Sequence, residues 1–93
     1  MKHSIALGDL VLVHWWDVYS QASWTSPKAL PPPVLCETVG RVVRYTKTDL
    51  VLAATQHLKP PPGTKETISD TTTLPIGVVK CVYYLTPKKE KKR

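Results

Sequence analysis

Ninety-three residues suffice for one domain, and a chain of this length buries only about two-thirds of the surface it exposes when unfolded, which excludes a large core. Hydrophobic residues make up 42% of the chain and Phe is absent, so the large apolar side chains are three Trp and four Tyr, with Leu and Val filling in. The formal net charge is +6, but five positive charges and one negative lie in residues 88–93; the other 87 residues carry only +2, which excludes a strongly basic folded body.

The apolar run Ile5-Ala6-Leu7 is too short for a signal peptide, and no stretch approaches the ~20 apolar residues of a membrane span. The expectation is therefore a cytoplasmic protein without membrane association. Cys36 and Cys81 lie far apart in strand-like runs. With nothing to mark the chain as secreted, they read as small buried thiols and not as a disulfide.

The first strong run is Leu10-Val11-Leu12-Val13-His14-Trp15-Trp16, preceded by Gly8-Asp9. In a strand, Val11, Val13 and Trp15 share one face, and Leu10, Leu12, His14 and Trp16 share the other. Both faces are largely apolar, as they would be in a small closed barrel covered on its outer side by a loop. Residues 17–33 form a long connection containing Tyr19 and Trp24. Ser26 is placed to cap a single helical turn opened by Pro27, and Pro31-Pro32-Pro33 stops it. Loops this long in small domains are often functional. Trp24 either folds back to pin the loop or stands out as a contact.

Residues 34–55 read as a hairpin with arms at 39–45 and 50–55 and a turn at Lys47-Thr48-Asp49. Gly40, inside the first arm, marks a bulge or bend. Arg41 and Arg44 fall on opposite faces unless the strand is irregular between them. Residues 56–70 form a second loop around Pro60-Pro61-Pro62-Gly63. A strand is expected at Thr71-Thr72-Thr73-Leu74, a tight turn at residues 75–79, and the last strand at residues 80–85. Residues 1–87 make the single domain, and residues 88–93 a disordered basic tail.

Five short strands, a long first loop, a hairpin and a one-turn break at residues 74–79 resemble the SH3-like barrel, in which a single 3₁₀ turn commonly separates the last two strands. The expected fold is all-β: a small, five-stranded, partly open SH3-like barrel with long proline-rich loops. More narrowly, the chain resembles small phage- and prophage-encoded proteins of uncharacterised function. The residues that carry this are Gly8-Asp9 with Val11, Val13, Trp15 and Asp17, then Trp24-Thr25-Ser26, Thr38-Val39-Gly40, Leu50-Val51-Leu52-Ala53 and Leu74-Pro75. The resemblance implies a phage-type protein acting in the host cytoplasm, and it brings no established activity with it.

Hydrolytic chemistry needs a nucleophile, a base and an orienting group within hydrogen-bond reach. No carboxylate pair, Gly-rich phosphate loop or Ser-centred elbow occurs in the sequence. His14, in a strand between apolar neighbours and near Asp17, reads as a surface or structurally satisfied histidine. Cys36, Cys81, His14 and His57 could in principle ligate zinc, but no C-x₂-C or H-x₃-H pair is present. The expectation is a non-enzymatic protein without metal or cofactor. Two binding roles remain. In the first, an unidentified protein partner contacts an exposed aromatic and loop surface, with Trp24, Trp16 and Tyr19 as candidate residues. With Phe missing, most of the Trp and Tyr are expected to be consumed by the core. In the second, nucleic acid binds Arg41 and Arg44 with Lys88, Lys89, Lys91, Lys92 and Arg93 of the tail.

Overall fold

A computed structural model describes residues 4–17, 22–65 and 67–91. Five strands form one antiparallel sheet: β1 (Leu10–Asp17), β2 (Val34–Tyr45), β3 (Asp49–Gln56), β4 (Ile68–Pro75) and β5 (Val79–Tyr84), in the spatial order β4-β3-β2-β1-β5. The sheet is not closed, so β4 and β5 are its edges. Two three-residue 3₁₀ turns are the only helical segments among the described residues, at Pro27–Ala29 and Ile76–Val78. The second precedes the last strand, which pairs with the first. This is a small, partly open SH3-like arrangement.

Local signals account for most elements. The Ser26 hydroxyl caps the first 3₁₀ turn by accepting from the Lys28 amide at 3.3 Å, with Pro27 at its first position. Pro75 ends β4. The Ile76 amide then donates to the Thr48 carbonyl at 2.9 Å, which ties the second 3₁₀ turn to the β2–β3 connection. That connection is one residue earlier than the sequence indicated. Asp49 already belongs to β3, because Thr46 makes the turn: its hydroxyl accepts from the Asp49 and Thr48 amides at 3.1 and 3.2 Å. Residues 68–70, read as loop from their polarity, are the start of β4. Their backbone pairs with the end of β3, Ile68 opposite Gln56 and Ser69 opposite Thr55, and a ladder of backbone groups needs no apolar side chains.

β2 serves two partners. Val34 to Arg41 pair with β1, and Arg41 to Tyr45 pair with β3. Gly40 sits just before the exchange. A Cβ there would lie 3.0 Å from the Ala53 carbonyl oxygen and 3.1 Å from the Leu52 Cβ. Gly40 thus permits a close approach of β3; it is not the site of the bulge the sequence suggested. The register slip comes later, between Val42 and Arg44. Val42 faces Leu52 and Arg44 faces Val51, leaving Val43 as the extra residue. The slip cancels the odd offset between Arg41 and Arg44. Opposite Ala53 and Val51 respectively, both arginines now share a face.

The core is small and aliphatic: Val11, Val13, Val42, Leu50, Leu52 and Leu74, with Ile5, Trp15, Ile76, Val78, Val79 and Val82 packed around it. The expectation that aromatics would build the core fails. Among the described aromatics Trp15 alone packs on the cluster, while Trp16, Trp24, Tyr45, Tyr83 and Tyr84 are exposed. The two apolar faces of β1 do not reflect a covered outer side either. Every residue from 22 to 33 is exposed, and the Cα radius of gyration is 17.3 Å, against about 12 Å for a compact chain of this length.

Candidate functional site

The outer face of β5, β1 and the first half of β2 carries three cross-strand rows. Leu12 lies between Val39 and Tyr83, His14 lies between Glu37 and Cys81, and Trp16 lies opposite Leu35. Residues directly opposite on antiparallel strands point to the same side, so these rows form one surface. Its apolar members are open to solvent: Val39 is 47% exposed, Tyr83 50%, Trp16 40% and Leu35 42%. The ammonium of Lys80 lies 5.4 Å from the centre of the Trp16 ring, a cation–π distance.

Polar groups occupy the middle row. The Nε2 of His14 is 2.8 Å from Glu37 Oε1, and its Nδ1 is 3.8 Å from Cys81 Sγ. The Tyr83 ring meets the imidazole edge-on, with centroids 5.1 Å apart. The hydrogen bond with the Cys81 sulfur, followed by its charge when ionised, pushes the Tyr83 phenol above its ordinary value. Sequence reading saw Asp17 as the nearest acid to His14 and missed this cluster. Positions 14, 37 and 81 are brought level only by strand register; the one local hint is that Cys81 and Tyr83 are two apart and share a face. The two cysteines are free and half-buried rather than fully buried. Cys36 pairs with Trp15 on the inner side while Cys81 pairs with His14 on the outer side, so the sheet separates them.

Trp24 is 104% exposed, in the loop just before the first 3₁₀ turn, and makes no hydrogen bond or ring contact among the described residues. It does not pin the loop. Trp16 lies on the outer strip; Tyr19 lies outside the described residues. No protein-family model matches this chain, and neither the curated proteins nor the solved structures yielded a match.

The basic candidates are placed differently. Arg44 forms a two-pronged pair with Asp49, Nε to Oδ1 at 3.0 Å and Nη2 to Oδ2 at 2.8 Å. Arg41 donates through Nη1 to the Gly8 carbonyl at 3.0 Å. Lys88, Lys89 and Lys91 are exposed without regular secondary structure, and Lys92 and Arg93 lie outside the described residues. Among the described residues no group of three or more His, Cys, Asp or Glu could hold a metal ion, and no helix is long and apolar enough to cross a membrane. The His57 ring is hydrogen-bonded to the Thr67 hydroxyl. One surface hollow, about 500 Å³, is lined by Leu7, Gly8, Val42, Val43, Gln56 and Ile68, none of which titrates.

The Arg44 pair gives a pH prediction. The Arg44 hydrogen bonds, assisted by the one from Thr46, hold the Asp49 carboxyl below its ordinary 3.8. A depressed carboxylate contributes stability above its unfolded-state pKa, and that stability is lost as pH falls through the folded value. Following the Asp49 carboxyl by NMR should therefore give a midpoint below 3.8. In Arg44→Gln the midpoint should rise, and the acid sensitivity of the β2–β3 hairpin should diminish. An unchanged midpoint in Arg44→Gln would remove Arg44 as the cause.

Proposed function

We propose that this chain is a non-enzymatic binding module, of phage type and acting in the host cytoplasm, that docks a protein partner through its exposed aromatic and loop surface. The observation that carries the reading is where the aromatics lie. The fold closes its core with Val and Leu and leaves Trp16, Trp24 and Tyr83 in solvent. Trp and Tyr dominate interface hot spots because each buries a large area at small entropic cost. Trp24 is the first anchor, since its ring is fully exposed. Trp16 and Tyr83 with Val39 and Leu35 supply a flatter second contact.

The alternative, nucleic-acid binding through Arg41, Arg44 and the tail, has less support. Asp49 neutralises Arg44, Arg41 is engaged by the Gly8 carbonyl, and the body is nearly balanced in charge. The test is capture from host lysate, with and without nuclease, by the full chain, by a variant lacking residues 88–93, and by Trp24→Ala, followed by affinity measurement with the captured partner. The expected result is nuclease-resistant capture that survives tail removal, with Trp24→Ala weakening binding by about 2 kcal/mol or more. Capture that vanishes with nuclease or with the tail, and that falls about 10³–10⁵-fold between 50 and 200 mM salt, overturns the reading in favour of nucleic acid.

A further inference from the structure

We propose that Cys81 is a thiol modification site, in which His14 is the base and Glu37 orients it, and that the reagent it takes is a small-molecule disulfide of the glutathione class. A carboxylate without a proton can only accept, so in the state where Glu37 carries none and His14 carries one, the 2.8 Å contact puts that proton on Nε2. That leaves the lone pair of Nδ1 pointing at the Cys81 sulfur, 3.8 Å away. Nucleophile, base and orienting acid then stand in a line across β5, β1 and β2, the pattern by which an activated thiol is recognised, with the nucleophile–base contact often loose before the reagent arrives. Tyr83, from the same strand as Cys81, keeps its phenolic proton and can donate to the thiolate. The other charged group on that strand beside Cys81 is Lys80, whose ammonium sits over the Trp16 ring.

The fold also gives access. Cys81 is half-buried on an edge strand with no sheet neighbour beyond it. Cys36 is the internal contrast. It is similarly half-buried, but its thiol donates to the Val34 carbonyl at 3.8 Å, and among the described residues it makes no hydrogen bond to an imidazole. A carbonyl accepts a hydrogen bond from a thiol but does not take its proton, so Cys36 has no general base in that contact.

The reagent disulfide is itself the oxidant: one of its sulfurs joins Cys81 and the other leaves reduced, as a thiol. The Sγ proton passes to His14 Nδ1. The thiolate attacks one sulfur of the reagent, the reagent's S–S bond breaks as the Cys81 mixed disulfide forms, and the departing thiolate takes the proton back from the imidazolium. The adduct lands in the middle of the outer strip, between the Val39–Leu12–Tyr83 row and the Trp16–Leu35 row.

The test uses single-cysteine proteins, Cys36→Ser to read Cys81 and Cys81→Ser to read Cys36, with a chromogenic aromatic disulfide for rates and glutathione disulfide with mass spectrometry for the adduct. Circular dichroism confirms the fold of each variant. At neutral pH Cys81 should react at least about 10-fold faster than Cys36, and the two should become equal in denaturant. His14→Ala should lower the Cys81 rate about 5-fold or more, and added imidazole should restore part of it, which a purely structural role would not allow. Glu37→Gln, which leaves the imidazole in place, should give a smaller loss. Equal native rates for the two cysteines, or a Cys81 rate unmoved by both His14→Ala and Glu37→Gln, would overturn the proposal.

Discussion

Leu52→Ala is expected to destabilise the domain by about 3 kcal/mol, within the range for truncating a fully buried leucine. Leu52 is one of six described residues in the central cluster and one of its largest fully buried side chains. It lies opposite Val42 on one side and Thr72 on the other, with its Cβ against the backbone of Gly40. A ladder on both sides holds the strand in place, so the cavity can collapse little. For a domain of this size the loss corresponds to a fall in Tm of roughly 12–24 °C. Urea and thermal unfolding both measure it. A cost below about 1 kcal/mol would mean that the inner face packs loosely enough to refill the space.

The second large effect is expected at Gly40. Gly40→Val places a branched side chain where even a single Cβ would meet the Ala53 carbonyl oxygen at 3.0 Å and the Leu52 Cβ at 3.1 Å. Both obstacles belong to the backbone or are fixed to it, so neither can rotate away. β2 and β3 would have to part at the point where β2 passes from one partner to the other. The cost is expected at or above the upper end for overpacking, about 3 kcal/mol. Gly77→Ala is the control, since a Cβ at that position meets nothing within 4 Å; it should stay within about 0.5 kcal/mol of the parent. If Gly40→Val melted within a few degrees of Gly77→Ala, β3 would not approach β2 as closely as described.

At Gly40 and Leu52 local pattern stops being informative, because their contact joins two strands. In Leu10–Asp17 the period-two alternation assigns every side chain to a face, and the structure keeps that assignment: Val11 and Val13 are in the core, Leu12 and Trp16 are outside. Ser26 before Pro27 marks the first 3₁₀ turn by a hydrogen bond two residues long. The Pro75 break before the last strand is equally local. These features depend on residues in contact along the chain, so the amino-acid sequence alone determined them, together with the all-β class and the number of strands.

What the tertiary structure decided is which strand lies beside which, and in what register. A strand's pattern has a period of two residues and carries no label for its partner. The slip at Val43 therefore could not be read from residues 39–45, yet it puts Arg41 and Arg44 on one face. Residues 68–70 looked like loop because their side chains are polar, but the exposed end of β3 paired with their backbone. The aromatics were expected inside because they are large and Phe is absent. The aliphatic side chains of β1 to β4 filled the small interior first, and an open sheet left Trp16 and Tyr83 outside. His14, Glu37 and Cys81 are separated by tens of residues and meet because two antiparallel pairings set them level. Register is a property of strand pairs, set by long-range backbone hydrogen bonds and core packing, and it alone assembles that cluster.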